Sequence, residues 1–250
     1  MARYDFRATR LFVDAPLAAG ATVALAPPQG NYLANVLRLR PGAAVLVFNG
    51  RDGEWRAILA AAGKRRFSLA MGEQTRPQPA SGDLHYLFAP LKAARLDYMV
   101  QKAVEMGATR LQPVLTQHSQ VERINLARMR ANAIEAAEQC GILSVAEIGA
   151  PAPLAAALAA LEPARLLVFC DEDAEVKDPV AALAAMAPPG GHVPLAVLVG
   201  PEGGFAEHER ALLLGRPRVV RLSLGPRILR ADTAAVAALA LVGAVVGDWR

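Results

Sequence analysis

The chain has 250 residues, of which 54% are hydrophobic and 20% are charged, and its formal net charge is +4. This composition is sufficient for a sizeable apolar core and excludes the disordered and fibrous classes of protein. The small excess of positive charge suits a polyanionic partner, although many proteins that bind no nucleic acid are equally basic.

Residues 1–73 carry short β-rich runs that are separated by turns. The pattern predicts strands at 21–26, 44–48, 55–59 and 66–70, with a turn at Asn49-Gly50-Arg51-Asp52-Gly53, and a helix over 31–39. Several short strands at this spacing predict a small β-barrel. The polar, proline-rich residues 74–82 predict a linker between two domains.

Residues 83–250 alternate between strand-like and helical patterns. We predict strands at 84–89, 111–115, 165–169, 195–199 and 219–222, and helices at 94–106, 126–140, 179–186, 206–214 and from Thr233 onward, with a short alanine-rich helix before residue 165. This alternation predicts an α/β domain with a mostly parallel sheet and helices on both faces.

The cysteines and the apolar runs limit the class of protein further. Cys140 and Cys170 are the only cysteines and belong to no metal-binding pattern, so we expect two buried thiols and no metal site. The N-terminal residues are charged and predict no signal peptide. The longest apolar stretch, 233–247, is too short to span a bilayer. We therefore expect a cytoplasmic protein with no membrane partner.

Two glycine-rich segments each follow a predicted strand and precede a predicted helix. The first is LVGPEGGF at 198–205, and the second is LSLGPRILRADTA at 222–234. Turns of this kind lie at the carboxyl ends of parallel strands, where open α/β sheets bind their ligands. The first segment lacks the lysine of a phosphate-binding loop and carries Glu202, which disfavours a nucleoside triphosphate. In the second, leucine and isoleucine side chains around Gly225 offer an apolar slot for adenine.

These segments resemble the SPOUT superfamily of S-adenosylmethionine-dependent RNA methyltransferases. Within it, they resemble the family that methylates N3 of a uridine in 16S ribosomal RNA, as do QKAVEMG at 101–107, TQHS at 116–119 and EAAEQCG at 135–141. The resemblance implies a PUA-like β-barrel over 1–73, a trefoil-knotted methyltransferase domain over 83–250, S-adenosylmethionine as cofactor and a homodimer. It also implies a substrate, uridine 1498, within the assembled small ribosomal subunit.

The candidate site residues follow from this resemblance and from the chemistry of the turns. The catalytic candidates are Arg230, Glu202 and Asp232, because an arginine can stabilise charge on the uracil oxygens and a carboxylate can accept the N3 proton. The cofactor candidates are Leu198, Val199, Gly200, Glu202, Gly203, Gly204, Leu222, Leu224, Gly225, Arg227, Ile228, Leu229 and Thr233. The RNA-binding candidates are Arg3, Arg7, Arg10, Arg38, Arg51, Lys92, Lys102 and Arg123. The one dense basic cluster is Lys64-Arg65-Arg66.

Other interpretations of these residues stay open. Arg227 and Arg230 could bind RNA phosphates instead, and Asp232 could only cap the last helix. Asp232, His118 and Ile142 stand where the family usually has Glu, Arg and Arg, respectively. The functional alternatives are a SPOUT methyltransferase acting on another RNA site and a non-enzymatic RNA-binding or ribosome-assembly factor.

Overall fold

The computed structural model describes residues 8–63, 66–121, 123–175, 178–186 and 193–249. They group into two compact units. The N-terminal unit comprises residues 1–80 and 137–145, and the C-terminal unit comprises residues 81–136 and 146–250.

The N-terminal unit is built on a five-stranded sheet. Its strands are β1 (Arg10–Phe12), β2 (Thr22–Ala24), β3 (Ala44–Phe48), β4 (Glu54–Ala61) and β5 (Phe67–Arg76). Their order is β1-β3-β4-β5-β2, in which β1 and β3 are parallel and the other pairs antiparallel. Within the described residues no pairing joins β1 to β2, so the sheet forms a half-barrel where a full barrel was expected. Buried aliphatic residues such as Val47, Leu59 and Leu69 form its core.

The predicted helix of this unit lies earlier in the chain than expected. Helix α1 (Pro27–Asn31) is followed by a π-helical turn at Tyr32–Val36. Pro27 and Pro28 occupy the first turn of the helix. Backbone N–H groups in a first turn make no hydrogen bond within the helix, so proline, which lacks the N–H group, costs no hydrogen bond there. The Pro27-Pro28 pair therefore begins a helix.

Two further differences concern strands. The three-residue strand β1 was not predicted, because its pattern is too short to show a period. Strand β5 extends to Arg76 and pairs with β4, so residues 74–76 of the expected linker lie in the sheet.

The C-terminal unit contains a parallel sheet in the order β12-β10-β11-β6-β7-β8, with β9 also paired to β7. The strands are β6 (Leu84–Phe88), β7 (Arg110–Leu115), β8 (Glu147–Ile148), β9 (Ala152–Pro153), β10 (Leu166–Cys170), β11 (Leu195–Val199) and β12 (Val219–Leu222). The helices are α2 (Ala93–Glu105), α3 (Leu126–Cys140), α4 (Leu154–Ala159), α5 (Pro179–Ala184), α6 (Glu207–Leu214) and α7 (Ala231–Val245), and α3 ends in residues grouped with the N-terminal unit. The predicted alternation of strands and helices is confirmed.

The register of the central strands positions the candidate site. Every residue of β11 is buried, which explains its continuous apolar run. Cys170, the last residue of β10, pairs with Val199 on one side and with Leu222 on the other. The two glycine-rich segments therefore leave the sheet on either side of the end of β10.

Among the described residues, no helix combines the length and the apolar character that crossing a membrane requires. Cys140 is exposed at the end of α3, so the expectation that it is buried is wrong.

Candidate active site

A cavity of about 360 Å³ lies at the carboxyl ends of β10, β11 and β12. Its walls are formed by three loops, which follow these three strands, and by the first turns of α7. A volume of this size is typical of small-molecule sites, and the position is where parallel sheets bind ligands.

Most of the expected cofactor residues surround this one cavity. Ten of the thirteen line it: Val199, Gly200, Glu202, Gly204, Leu222, Leu224, Gly225, Arg227, Ile228 and Leu229. Leu198 does not, because alternation along β11 turns its side chain into the apolar cluster that contains Leu87 and Phe169. Its side chain therefore belongs to the core, and its expected role as a cofactor contact stays a prediction. Gly203 lies against His118 instead, and Thr233 is exposed on α7.

The third wall of the cavity, residues 170–172, was missed by the sequence analysis. The available signal was an acidic triplet that directly follows a predicted parallel strand. Asp171 is 2% exposed, forms an ion pair with Arg210 at an N–O distance of 3.0 Å and accepts a hydrogen bond from Arg221 at 2.8 Å. These ion pairs fix the loop at the end of β10. Burial raises the pKa of the Cys170 thiol to about 12, so it stays protonated beside the cavity.

The carboxylates of this loop are compensated by guanidinium groups. Asp171, Glu172 and Asp173 place oxygen atoms within 4.8 Å of one another. Arg210 contacts all three residues, and Arg221 also pairs with Asp171. The two arginines thus neutralise buried Asp171, whereas Glu172 has a side chain that is 58% exposed and a single contact with Arg210, at 3.4 Å.

Two glycines in the turn after β11 are required by their surroundings. Gly204 has a φ of +70°, and a Cβ atom there would lie 2.7 Å from Oε1 of Glu172. At Gly200 a Cβ atom would lie 2.7 Å from the ring of Phe205. Glycine thus keeps the turn compact and leaves its backbone open to the cavity.

The segment after β7 holds this turn in place. Buried Glu209 accepts hydrogen bonds from the backbone N–H groups of Gln117 and Ala206, at 2.8 and 2.9 Å. The Nδ1 atom of His118 lies 3.1 Å from the carbonyl oxygen of Gly204. Since a carbonyl oxygen only accepts, Nδ1 carries the proton. His118 therefore contacts the glycine turn.

Of the three catalytic candidates, Glu202 is the one that lines the cavity, and it forms an ion pair with Arg95 of α2. Arg230 is exposed at the N-cap of α7, and its side chain is not part of the cavity wall. Asp232 lies in the first turn of α7, where its Oδ1 accepts the Thr233 N–H at 3.2 Å. The interpretation of Asp232 as the helix cap is wrong, because α7 begins before it, at Ala231.

The RNA-binding candidates differ in accessibility. Arg3 and Arg7 lie outside the described residues, as do Lys64 and Arg65 of the basic cluster. Arg10 is 6% exposed, with its Nε 3.0 Å from Oε1 of Glu54, so its expected RNA contact is corrected to a buried ion pair. The remaining candidates comprise half-buried Lys102, which is paired with Glu105 at 2.7 Å, and exposed Arg38, Arg51, Lys92 and Arg123.

The comparisons with known proteins agree with this architecture. An RNA methyltransferase PUA domain matches residues 25–70, and an RNA methyltransferase domain matches residues 77–243. The ribosomal RNA small subunit methyltransferase E of Rickettsia conorii is 29% identical over 93% of this chain and 94% of that protein. Its namesake from Synechocystis sp. is 30% identical over 96% of this chain and 78% of that protein.

A solved structure extends the agreement to three dimensions. The ribosomal RNA small subunit methyltransferase E of Neisseria gonorrhoeae, bound to S-adenosyl methionine, is 26% identical with a TM-score of 0.83. The match covers 98% of this chain and 100% of that one. The prediction of an α/β fold with an N-terminal PUA-like domain is confirmed. The chain belongs to the ribosomal RNA small subunit methyltransferase E family of RNA methyltransferases.

Proposed function

We propose that this protein transfers a methyl group from S-adenosylmethionine to N3 of a uridine in 16S ribosomal RNA, by resemblance uridine 1498. The observation that carries the proposal is the single cavity formed by both glycine-rich segments at the ends of β11 and β12. The choice of base and atom rests on the family resemblance of those segments.

The cavity suits S-adenosylmethionine in size, polarity and charge. Val199, Leu222, Leu224 and Leu229 supply an apolar wall of the kind that adenine requires. The carboxylate of Glu172 lies at the same cavity and favours a positively charged ligand. When bound, this cofactor supplies an electrophilic methyl group on a sulfonium centre. We propose that residues 198–204 and 222–234 hold it within a trefoil knot.

The chain's own residues then position the base and handle its proton. Glu202 is the proposed proton acceptor, because it lies at the cavity whereas Asp232 lies in the first turn of α7. Arg227, which lines the cavity, and Arg230 at its border are proposed to stabilise negative charge on the uracil oxygens. The loops position the reacting atoms, which supplies much of the rate.

The proposed partners follow from the substrate. We propose that residues 1–73 bind RNA, with exposed Arg51 as one contact, and that the assembled small subunit is the form recognised. Because the substrate is ribosomal RNA, the proposed location is the cytoplasm. The proposed active form is a homodimer.

Mass spectrometry of 16S ribosomal RNA from cells that lack the gene tests this function. We expect one N3-methyluridine to disappear, and to return with the wild-type gene but not with Glu202→Gln. Loss of a methyl group elsewhere in RNA would favour a methyltransferase with another target. If calorimetry of the purified protein gave no saturable heat with S-adenosylmethionine, a non-enzymatic RNA-binding factor would replace the proposal.

A further inference from the structure

A second, smaller cavity of about 130 Å³ adjoins the first in the C-terminal unit. It lies between the loop after β6, the first turn of α2 and the segment at 120–121. Pro201 and Glu202 line both cavities. A ligand in the second cavity and a ligand in the first would therefore meet at Glu202.

We propose that this second cavity receives the target uracil, and that Lys92, Arg95 and Gln120 recognise its oxygen atoms. The inference rests on the proposed function, to which it adds the location and the selectivity of the base-binding site. None of these three residues belongs to either glycine-rich segment.

The polar groups of this cavity match the pairing edge of uracil. That edge presents the acceptors O2 and O4 on either side of the N3–H donor. The Lys92 ammonium, the Arg95 guanidinium and the Gln120 amide are donors, and the Glu202 carboxylate is an acceptor. Cytosine presents an amino donor in place of O4 and has no proton on N3. Its amino group would therefore face the donors of this cavity, and Glu202 would have no proton to accept.

The start of α2 brings both cationic side chains to the wall of this cavity. Lys92 is the N-cap residue, and its carbonyl oxygen accepts the backbone N–H of Arg95 at 3.0 Å. Residues at this spacing lie on one face of a helix. The Arg95 side chain is 37% exposed and pairs with Glu202, so an arriving base can reach both groups.

This arrangement defines the fate of the N3 proton. The N3–H bond breaks and an O–H bond forms on the Glu202 carboxylate, while the electron pair stays on the base and spreads to O2 and O4. Arg95 then faces that negative charge, and the deprotonated N3 is oriented toward the neighbouring cavity.

The first test measures base selectivity without any cofactor. Two RNA fragments of the 16S target region, with uridine or cytidine at the target position, are bound to the protein and followed by fluorescence anisotropy. We expect the wild-type protein to prefer uridine by about tenfold, which is the lower range for one recognised base edge. Arg95→Ala should abolish the preference, and Lys92→Met should reduce it.

Arg110→Ala is the matched control. Arg110 forms an ion pair with Glu147 at 2.8 Å, and its side chain is 35% exposed, close to the value for Arg95. Arg110 is the first residue of β7, at the amino ends of the parallel strands, whereas both cavities lie at their carboxyl ends. Calorimetry should show that both arginine variants still bind S-adenosylmethionine, which shows that the first cavity is intact.

The outcomes separate the inference from the function on which it rests. If the wild-type protein methylates the RNA and Arg95→Ala keeps the full preference for uridine, the inference is wrong and the proposed function stands. If the wild-type protein neither binds S-adenosylmethionine nor methylates the RNA, the proposed function itself fails.

A second readout tests Glu202 as the proton acceptor. At higher pH the solvent removes the N3 proton, so methyl transfer by Glu202→Gln should rise more steeply with pH than transfer by the wild-type protein. Parallel pH profiles would show that Glu202 has a structural role alone and would overturn this part of the inference.

Discussion

At the scale of single residues, Asp171 connects the stability of the C-terminal unit with ligand binding. Asp171→Asn would leave the guanidinium groups of Arg210 and Arg221 without their buried counter-charge. We expect it to lower the free energy of unfolding by about 2–3 kcal/mol, below the usual cost of breaking a buried pair, because both arginines reach solvent. Urea denaturation measures the change.

The same variant should weaken the binding of S-adenosylmethionine, since residues 170–172 form one wall of the larger cavity. Glu147→Gln is the control, because its ion pair with Arg110 is exposed and should change stability by at most about 1 kcal/mol. Equal stabilities for Asp171→Asn and Glu147→Gln would contradict the structural role of Asp171.

Glu54 gives the N-terminal unit a specific sensitivity to acid. Burial alone would raise the pKa of its carboxyl group, but hydrogen bonds from Arg76, Thr75 and Arg10 outweigh burial and hold the pKa below the usual 4.5. A lowered pKa stabilises the folded state above about pH 4.5, and this contribution is lost as the pH falls through the folded-state value. We therefore expect the unfolding free energy of this unit to fall with acidification below about pH 4.5.

Tryptophan fluorescence can follow that loss in one unit. In a Trp249→Phe background the remaining tryptophan, Trp55, lies in β4 of the N-terminal unit. Glu54→Gln should flatten the acid dependence of unfolding as well as lower stability. Glu73→Gln, which removes the 74% exposed partner of Arg56, should keep the wild-type dependence. Identical pH profiles for the wild-type protein and Glu54→Gln would contradict the prediction.

At the scale of elements, the turn after β11 depends on the left-handed backbone at Gly204. Gly204→Ala should lower stability by about 1–2 kcal/mol, the cost of that conformation for a residue with a Cβ atom. It should also weaken the binding of S-adenosylmethionine at least about tenfold. A loss of about 1.4 kcal/mol in binding free energy, caused by the altered turn, is sufficient for this. Calorimetry measures the affinity, and thermal unfolding measures the stability.

Gly42→Ala is the matched control for this turn. Gly42 also has a positive φ, +94°, but lies in the N-terminal unit with open space around its Cβ position. It should cost a similar amount of stability and leave cofactor affinity unchanged. If both variants bound the cofactor as tightly as the wild-type protein, the cavity would not be the cofactor site.

At the scale of the whole molecule, the apolar character of α7 favours a dimer. One face of the helix is buried in the core, and half-exposed apolar residues, including Val236 and Leu241, line the other face. Analytical ultracentrifugation should give twice the chain mass of 26.4 kDa. Leu241→Lys should give a monomer, whereas Leu212→Lys on α6, at a 47% exposed position, should not. A monomeric wild-type protein would refute the proposed dimer.

The net charge of +4 predicts that RNA binding weakens with salt. The logarithm of RNA affinity should fall linearly with the logarithm of salt concentration, and Arg123→Ala should reduce the slope by about one if Arg123 contacts a phosphate. Calorimetric affinity for S-adenosylmethionine should vary far less. An unchanged slope for Arg123→Ala would remove this residue from the RNA interface.

The sequence by itself determined the alternation of strands and helices, the two glycine-rich turns and the family. Local periodicity and turn chemistry are encoded in neighbouring residues, so β11, β12 and the segments that follow them are readable without coordinates. The sequence also identified Glu202 as a candidate base.

The tertiary structure decided which distant side chains share a site. The register that joins Cys170 to Val199 and Leu222 brings residues 170–172 to the cavity, and α2 brings Arg95 to Glu202. Burial also turned Leu198 into a core residue and Arg10 into a buried ion pair. Such contacts depend on strand order and packing between segments far apart in the chain, which no local pattern records.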